Sequence, residues 1–238
     1  MRGKIEKKNN VFDHVMKLKN VSKTYKQKSR IVKVLTEVNI DFDSNNFYAI
    51  MGHSGSGKST LINILGLIDT FDSGTYELYG TKATSFNDKE ASNLRMKNIG
   101  FIFQGFHLNP NLKAFENVIV PMIINKGINP KDRKKLAIEL LESVGLGERV
   151  DHFPNELSGG EQQRVAIARA LANNPHVILA DEPSGNLDEK SEEEIFRSLK
   201  ELSQKGKCII VVSHSNEVKK YADKVLKIID GKIVGADK

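Results

Sequence analysis

Residues 51–60 read Met-Gly-His-Ser-Gly-Ser-Gly-Lys-Ser-Thr, with the apolar run FYAIM before them and TLINILGL after. Gly52-His53-Ser54-Gly55-Ser56-Gly57-Lys58-Ser59 fits G-x-x-x-x-G-K-[ST] between a strand and a helix, the context that separates a phosphate cradle from an ordinary glycine-rich turn. Glycines let successive backbone N–H groups turn inward around a phosphate, and the helix that follows presents its positive end. In such a loop Lys58 neutralises β- and γ-phosphate charge and the Ser59 hydroxyl ligates Mg²⁺.

Four continuous apolar runs then set the architecture: FYAIM (47–51), IGFIF (99–103), VILA (177–180) and CIIVV (208–212). Unbroken β-branched and aromatic runs of this length suit strands buried on both faces of an α/β sheet. Each is followed at once by a chemically pointed segment: the glycine loop, Gln104, Asp181-Glu182, and Ser213-His214. Ligands of open α/β sheets collect beyond the carboxyl ends of the strands, so these segments are expected at one site. Asp181 is assigned to metal binding, and Glu182 to orienting and deprotonating an attacking water.

The remaining chain is patterned differently. VMKLKNVSKTY, IVKVLTEVNIDF and YELYG (76–80) alternate apolar and polar residues, which predicts an antiparallel flank. KDRKKLAIELLESVGL (131–146) has helical spacing at Leu136, Ile138, Leu140, Leu141 and Val144, closed by Gly145 and Gly147. With the loop before it, this stretch predicts a helical insertion over residues 105–157.

ELSGGEQQR (156–164) is a second helix start built for an anion. Ser158 and Glu161 form an S-x-x-E capping box, and Gly159-Gly160 leave backbone N–H groups open to a visitor. The first loop already wraps the phosphates of its own nucleotide. The spare cradle therefore needs another ligand, or one held by another chain.

In its ordered set of motifs, residues 15–234 resemble the ATP-binding subunits of ABC transporters. LSGGEQQR resembles the signature motif, QGFHL (104–108) the Q-loop, SGNLD (184–188) the D-loop, and Ser213-His214 the switch histidine. Tyr25 in VSKTY matches the aromatic residue that stacks on adenine. The resemblance implies an α/β P-loop NTPase core of RecA-like type, residues 14–104 and 158–238, with an antiparallel β flank and the helical subdomain 105–157. It implies ATP and Mg²⁺ as ligands, held by Gly52 through Thr60, with Gln104 linking the metal to the insertion. It also implies a head-to-tail homodimer across two ATP molecules. There Ser158, Gly159, Gly160 and Glu161 of one chain face the γ-phosphate held by Lys58 of the other, His214 contacts that phosphate, and Asp188 lies at the seam. The partner implied is a separate membrane permease, faced by LNPNLKAFENV (108–118). Ser215, Asn109 and Lys113 depart from the commoner Asp, Leu and Thr of the family.

Composition narrows the setting. No run of 18 apolar residues exists, and NVIVPMIIN (117–125) is broken by Pro121, so the chain is not expected to span a membrane. MRGKIEKKNN lacks an apolar core of the secretory kind, which predicts a frayed extension over residues 1–13 and a cytoplasmic protein; the resemblance implies that it is peripheral to the cell membrane. The lone Cys208, within CIIVVS, reads as a small buried hydrophobe. A net charge of +6 is spread over dispersed lysines without aromatic clustering, which argues against a nucleic-acid partner. The acidic EKSEEE (189–194) reads as a helix start complementing its dipole. QGFHLNPNLKAFENV and SGNLD resemble the lipoprotein-release, macrolide-efflux and antimicrobial-peptide-resistance branch. Twenty-eight lysines against eight arginines, with frequent Asn and Ile, suit an AT-rich genome and turn the expectation toward peptide or drug resistance. Regulation of cell-wall hydrolases and an ATPase acting on nucleic acid are the rival readings.

Overall fold

The computed structural model describes residues 14–27, 30–83 and 87–237; the extension expected over residues 1–13 lies outside them. Strands β1 (Met16–Gln27) and β2 (Arg30–Phe42) pair antiparallel, followed by β3 (Phe47–Met51) and helix α1 (Lys58–Leu65). Next come β4 (Ser73–Leu78), β5 (Thr81–Lys82), α2 (Asp88–Asn98), β6 (Ile99–Phe103), α3 (Ala114–Ile123) and α4 (Arg133–Ser143). The chain finishes with α5 (Gly159–Leu171), β7 (Val177–Asp181), α6 (Glu189–Gln204), β8 (Cys208–Ser213), β9 (Lys224–Ile229) and β10 (Lys232–Asp237).

The main sheet runs β10-β9-β3-β8-β7-β6, and the four runs singled out from the sequence are β3, β8, β7 and β6, which with β9 form its parallel part. Their register aligns the carboxyl ends, with Met51 opposite Ser213 and Phe103 opposite Asp181. The second sheet, β2-β1-β4-β5, is the antiparallel flank. β4 starts three residues before the YELYG pattern and ends two residues before the pattern does: the chain leaves it after Leu78 and turns through Tyr79 (φ 50) and Gly80 (φ 69) into β5. Two consecutive residues with positive φ make the tight hairpin whose twist matches its strands.

The two-residue period of a strand sends alternate side chains to opposite faces. Tyr48 and Ile50 join the core formed with α1 and the flank, including Leu61, Leu65, Leu18 and Tyr76. Phe47, Ala49 and Met51 join the opposite core with Ile167 and Leu171 of α5 and Ile195, Phe196 and Leu199 of α6. A third cluster joins α3, α4 and α5 through Val118, Met122, Leu141, Val165 and Ala168. α5 thus packs on the sheet with one side and on α3 and α4 with the other.

The stretch ahead of α4, read from the sequence as loop, contains α3 with Pro121 inside it. Proline removes one helical hydrogen bond and crowds the carbonyl four residues back. The helix survives because Ala114, Val118 and Met122, four apart, are all fully buried in the third cluster. The Pro121 carbonyl, near the helix end, accepts instead from Asn173 Nδ2 at 3.0 Å.

Candidate nucleotide site and second cradle

The loop from β3 to α1 is glycine-rich for two steric reasons. A Cβ on Gly52 would lie 2.5 Å from the Ile228 carbonyl oxygen, and one on Gly57 (φ 105) would lie 2.7 Å from the Val34 carbonyl oxygen. Gly57 is also the N-cap of α1, with no side chain capping the helix and no acid in its first turn. The first N–H groups of α1 are therefore open to an anion. Lys58 Nζ is buried beside them and donates to the carbonyls of Gly52 (2.8 Å) and His53 (3.0 Å), which tethers the ammonium inside the loop.

A cavity of about 650 Å³ opens here, lined by Val34, Ser54, Gly55, Gly57, Lys58, Ser59, Thr60, Gln104, Glu182 and His214. Segments from the ends of four strands, β3, β6, β7 and β8, meet in it, joined by Val34 of β2. Gly52, His53 and Ser56 belong to the same loop but not to this lining: His53 is exposed, and the Ser56 hydroxyl is buried with no partner. Val34 was not anticipated; its only sequence signal is its place in an alternating strand.

The two acids at the end of β7 have different surroundings. The Asp181 carboxylate accepts from the Ser59 hydroxyl; burial raises its affinity for a proton, with the Glu182 charge adding to the effect and Ser59 and Lys58 opposing it. Asp181 lines an adjoining depression with Gln104, Gly105 and Asn186, so Gln104 borders both spaces. Glu182 sits at φ 48, a left-handed conformation unusual for a residue with a side chain. Its Oε2 lies 2.9 Å from His214 Nδ1 and accepts from the His214 backbone N–H at 3.2 Å. The glutamate is largely shielded, whereas the imidazole is mostly exposed. Ser215 settles the loop beyond by accepting from the Glu217 N–H at 3.1 Å.

A serine hydroxyl hydrogen-bonded to a carboxylate, with a carboxamide at the margin, is an oxygen donor set suited to Mg²⁺, which takes few protein ligands and shares substrate phosphates. Among the described residues no cluster of three or more His, Cys, Asp or Glu makes an all-protein metal cage.

Tyr25 stands at the margin rather than in the cavity lining. Its hydroxyl donates to Asp69 and accepts from Thr60, which does line the cavity; burial, first, and Asp69 raise its pKa above the usual phenol value. Lys23 is buried beside it, 2.8 Å from Asp69 and 4.9 Å from the ring centroid.

The second cradle is formed as its spacing suggests. Ser158 Oγ accepts from the Glu161 N–H at 3.2 Å, while Glu161 Oε2 accepts from the Ser158 N–H at 2.8 Å. Gly160 is needed for closeness, since a Cβ there would approach Ser191 Oγ to 2.9 Å. None of Ser158, Gly159, Gly160 and Glu161 lines the first cavity. Asp188 caps α6, accepting from the Ser191 N–H at 2.9 Å, and that bond holds its carboxyl below the usual range. Glu189 and Glu192 follow in the first turn of α6, as a dipole-complementing start requires.

The family described as ABC transporter matches residues 35–185. An uncharacterized ABC transporter ATP-binding protein of Methanocaldococcus jannaschii, MJ1508, is 48% identical over 92% of the chain and 98% of its own length. The macrolide export ATP-binding/permease protein MacB of Bartonella quintana is 46% identical over 93% of the chain, which spans 34% of that longer protein. Among solved structures, the dimeric structure of the ABC transporter cassette MJ0796 shares 43% identity with a TM-score of 0.85, covering 94% of this chain and 98% of that one. A dimeric post-hydrolysis state of MJ0796 bound to ADP and Pi matches equally well.

Proposed function

Because the chain belongs to the ABC transporter family and is an ATP-hydrolysing cassette of it, we propose that it works as a homodimer closed around two ATP molecules, driving a separate membrane permease. One observation carries this reading. The first cavity has its own loop, acids and histidine, while the Ser158–Glu161 cradle of the same chain shares no residue with its lining. An anion site left over in each copy is satisfied in both at once when two copies pair head to tail. ATP then lies in the interface, favours closure while its γ-phosphate is intact, and releases it on hydrolysis.

Within each cavity Lys58 and the open N-terminus of α1 hold the phosphates, and Tyr25 provides a face for adenine. Ser59 and Asp181 hold Mg²⁺, with Gln104 at its edge; the metal supplies neutralisation of phosphate charge. Glu182 orients and deprotonates water, His214 contacts the γ-phosphate, and Asp188 lies at the seam. Residues 105–157 act as the helical unit that meets the permease. LNPNLKAFENV (108–118) faces the permease, and an apolar groove of about 520 Å³ between α2 and α3, lined by Met96, Phe101, Phe103, Val120 and Ile124, adds a second docking surface beside it. Val120 and Ile124 of its lining are 45% and 63% exposed, a patch suited to an apolar segment of a partner. Among the described residues no helix is long and apolar enough to cross a membrane, and the cassette is read as peripheral to one.

For cargo, the reading is export of, or resistance to, antimicrobial peptides or drugs, supported by the macrolide export names of several relatives. The test of the engine is molar mass by light scattering. Glu182→Gln with Mg-ATP should double in mass and return to monomer with ADP. A chain that stays monomeric with Mg-ATP, alone and beside its permease, overturns the proposal. The permease that copurifies from native membranes identifies the cargo branch; a partner controlling cell-wall hydrolases would replace the export reading.

A further inference from the structure

The segment that carries Gln104 from β6 toward α3 is strained. Phe106 (φ 57) and His107 (φ 50) are consecutive residues with bulky side chains in the left-handed region, where glycine or asparagine is the usual occupant. Such a conformation persists only where its surroundings over-determine it, so the partners of its backbone matter.

Each of the five carbonyls from residue 103 to 107 has a donor. Two are used inside the segment: Phe103 O accepts from the Phe106 N–H at 3.2 Å, and Gly105 O from the His107 N–H at 2.5 Å. The other three are held by side chains from elsewhere. Gln104 O accepts from Asn186 Nδ2 at 3.0 Å, Phe106 O from Arg169 Nη2 at 2.7 Å, and His107 O from Arg169 Nη1 at 2.5 Å. The two strained residues are thus bridged by one guanidinium, whose rigid fork spans adjacent carbonyls as a lysine ammonium does not. The His107 ring stacks on Phe103 with centroids 5.0 Å apart, and both line the apolar groove together with Arg169. At the other end of α5, a Cβ on Gly159 would lie 3.8 Å from the Phe106 ring.

We propose that Arg169 is a positioning residue for Gln104: it fixes the strained segment to α5, so that a shift of that helix, or of whatever occupies the groove, moves the Gln104 carboxamide in the nucleotide cavity. The role rests on the reading of Gln104 as a ligand-facing group given above. A cation within the otherwise apolar VAIARAL run is its one trace in the sequence.

The test uses the full chain and three variants: Arg169→Lys, Gln104→Ala and the double substitution. Nucleotide affinity is measured with a fluorescent ATP analogue, alongside steady-state kcat and the melting temperature. Arg169→Lys should keep affinity and melting near wild type while kcat falls roughly tenfold to a hundredfold, the scale of a misplaced contact in a catalytic site. Since Arg169 acts through Gln104, the double variant should be no slower than Gln104→Ala alone. An unchanged kcat in Arg169→Lys overturns the proposal, as do losses that multiply in the double variant. Parallel loss of affinity, melting and kcat overturns it in favour of a plain structural role. Failure of the wild-type chain to hydrolyse ATP would instead remove the functional reading beneath it.

Discussion

Gly55 and Gly57 sit two positions apart in one loop, both with positive φ, yet they answer to different constraints. An added Cβ at Gly55 (φ 79) meets nothing within 4 Å, whereas at Gly57 it meets the Val34 carbonyl at 2.7 Å. Gly55→Ala should therefore cost only the left-handed penalty of about 1–2 kcal/mol. Gly57→Ala adds a clash with backbone that cannot step aside, and should be the more destabilising of the two in urea unfolding without nucleotide. Asp181 allows a prediction with a definite sign. Burial raises its folded-state pKa, so the folded chain favours the protonated acid. Its stabilising contribution is present at low pH and is lost as pH rises through the raised value. Asp181→Asn should raise the melting temperature of the nucleotide-free chain at pH 7.5, on the order of 2–4 °C for each kcal/mol relieved, and less at pH 5. The same variant should hydrolyse ATP poorly. Of the residues in the cavity, most were legible because glycine, lysine and acid at fixed spacing serve little else. Val34 in the cavity and Arg169 outside it were not, since an apolar residue on a strand and an arginine on a helix look alike whatever they touch.

At the scale of elements, Ser158 and Asp188 each do a local task that can be separated from any role across an interface. Each caps its helix through a backbone N–H three residues on. Ser158→Ala and Asp188→Ala should each lower monomer stability by about 1 kcal/mol. Ser158→Thr, which keeps the cap, should restore it; denaturant melts of the monomer check both. In the Glu182→Gln background, loss of ATP-driven pairing beyond what this stability cost explains would mark the second role of Ser158. The buried strands could be read directly, because a sheet covered on both sides demands unbroken apolar runs. α3 could not: Pro121 interrupts its pattern, and the helix is held by burial of Ala114, Val118 and Met122 against α4 and α5, which lie outside that local pattern. The β4 strand ended early for a related reason, since the turn at Tyr79 and Gly80 is set by pairing to β5 rather than by local alternation.

For the whole molecule, the groove between α2 and α3 offers a way to uncouple the engine from its load. Ile124 is 63% exposed and lines the groove without touching the nucleotide cavity. Ile124→Glu should leave stability within about 0.5 kcal/mol and basal hydrolysis unchanged. Stimulation of that hydrolysis by the permease in reconstituted vesicles should be lost. The layered plan was legible because its motifs fall at strand ends; how α5 ties two cores together was not, since one helix facing two ways carries no single periodic face.

β8 lies between β3 and β7, and all six of its residues are fully inside. The histidine it delivers is consequently aligned by a spine shielded from solvent along its whole length. Shortening one rib of that spine, as in Ile210→Ala, should cost about 2–5 kcal/mol of stability and also blunt turnover, although the altered atom lies well below the chemistry. Damage of this kind would spread sideways to both neighbours, making the quietest strand the one least free to vary.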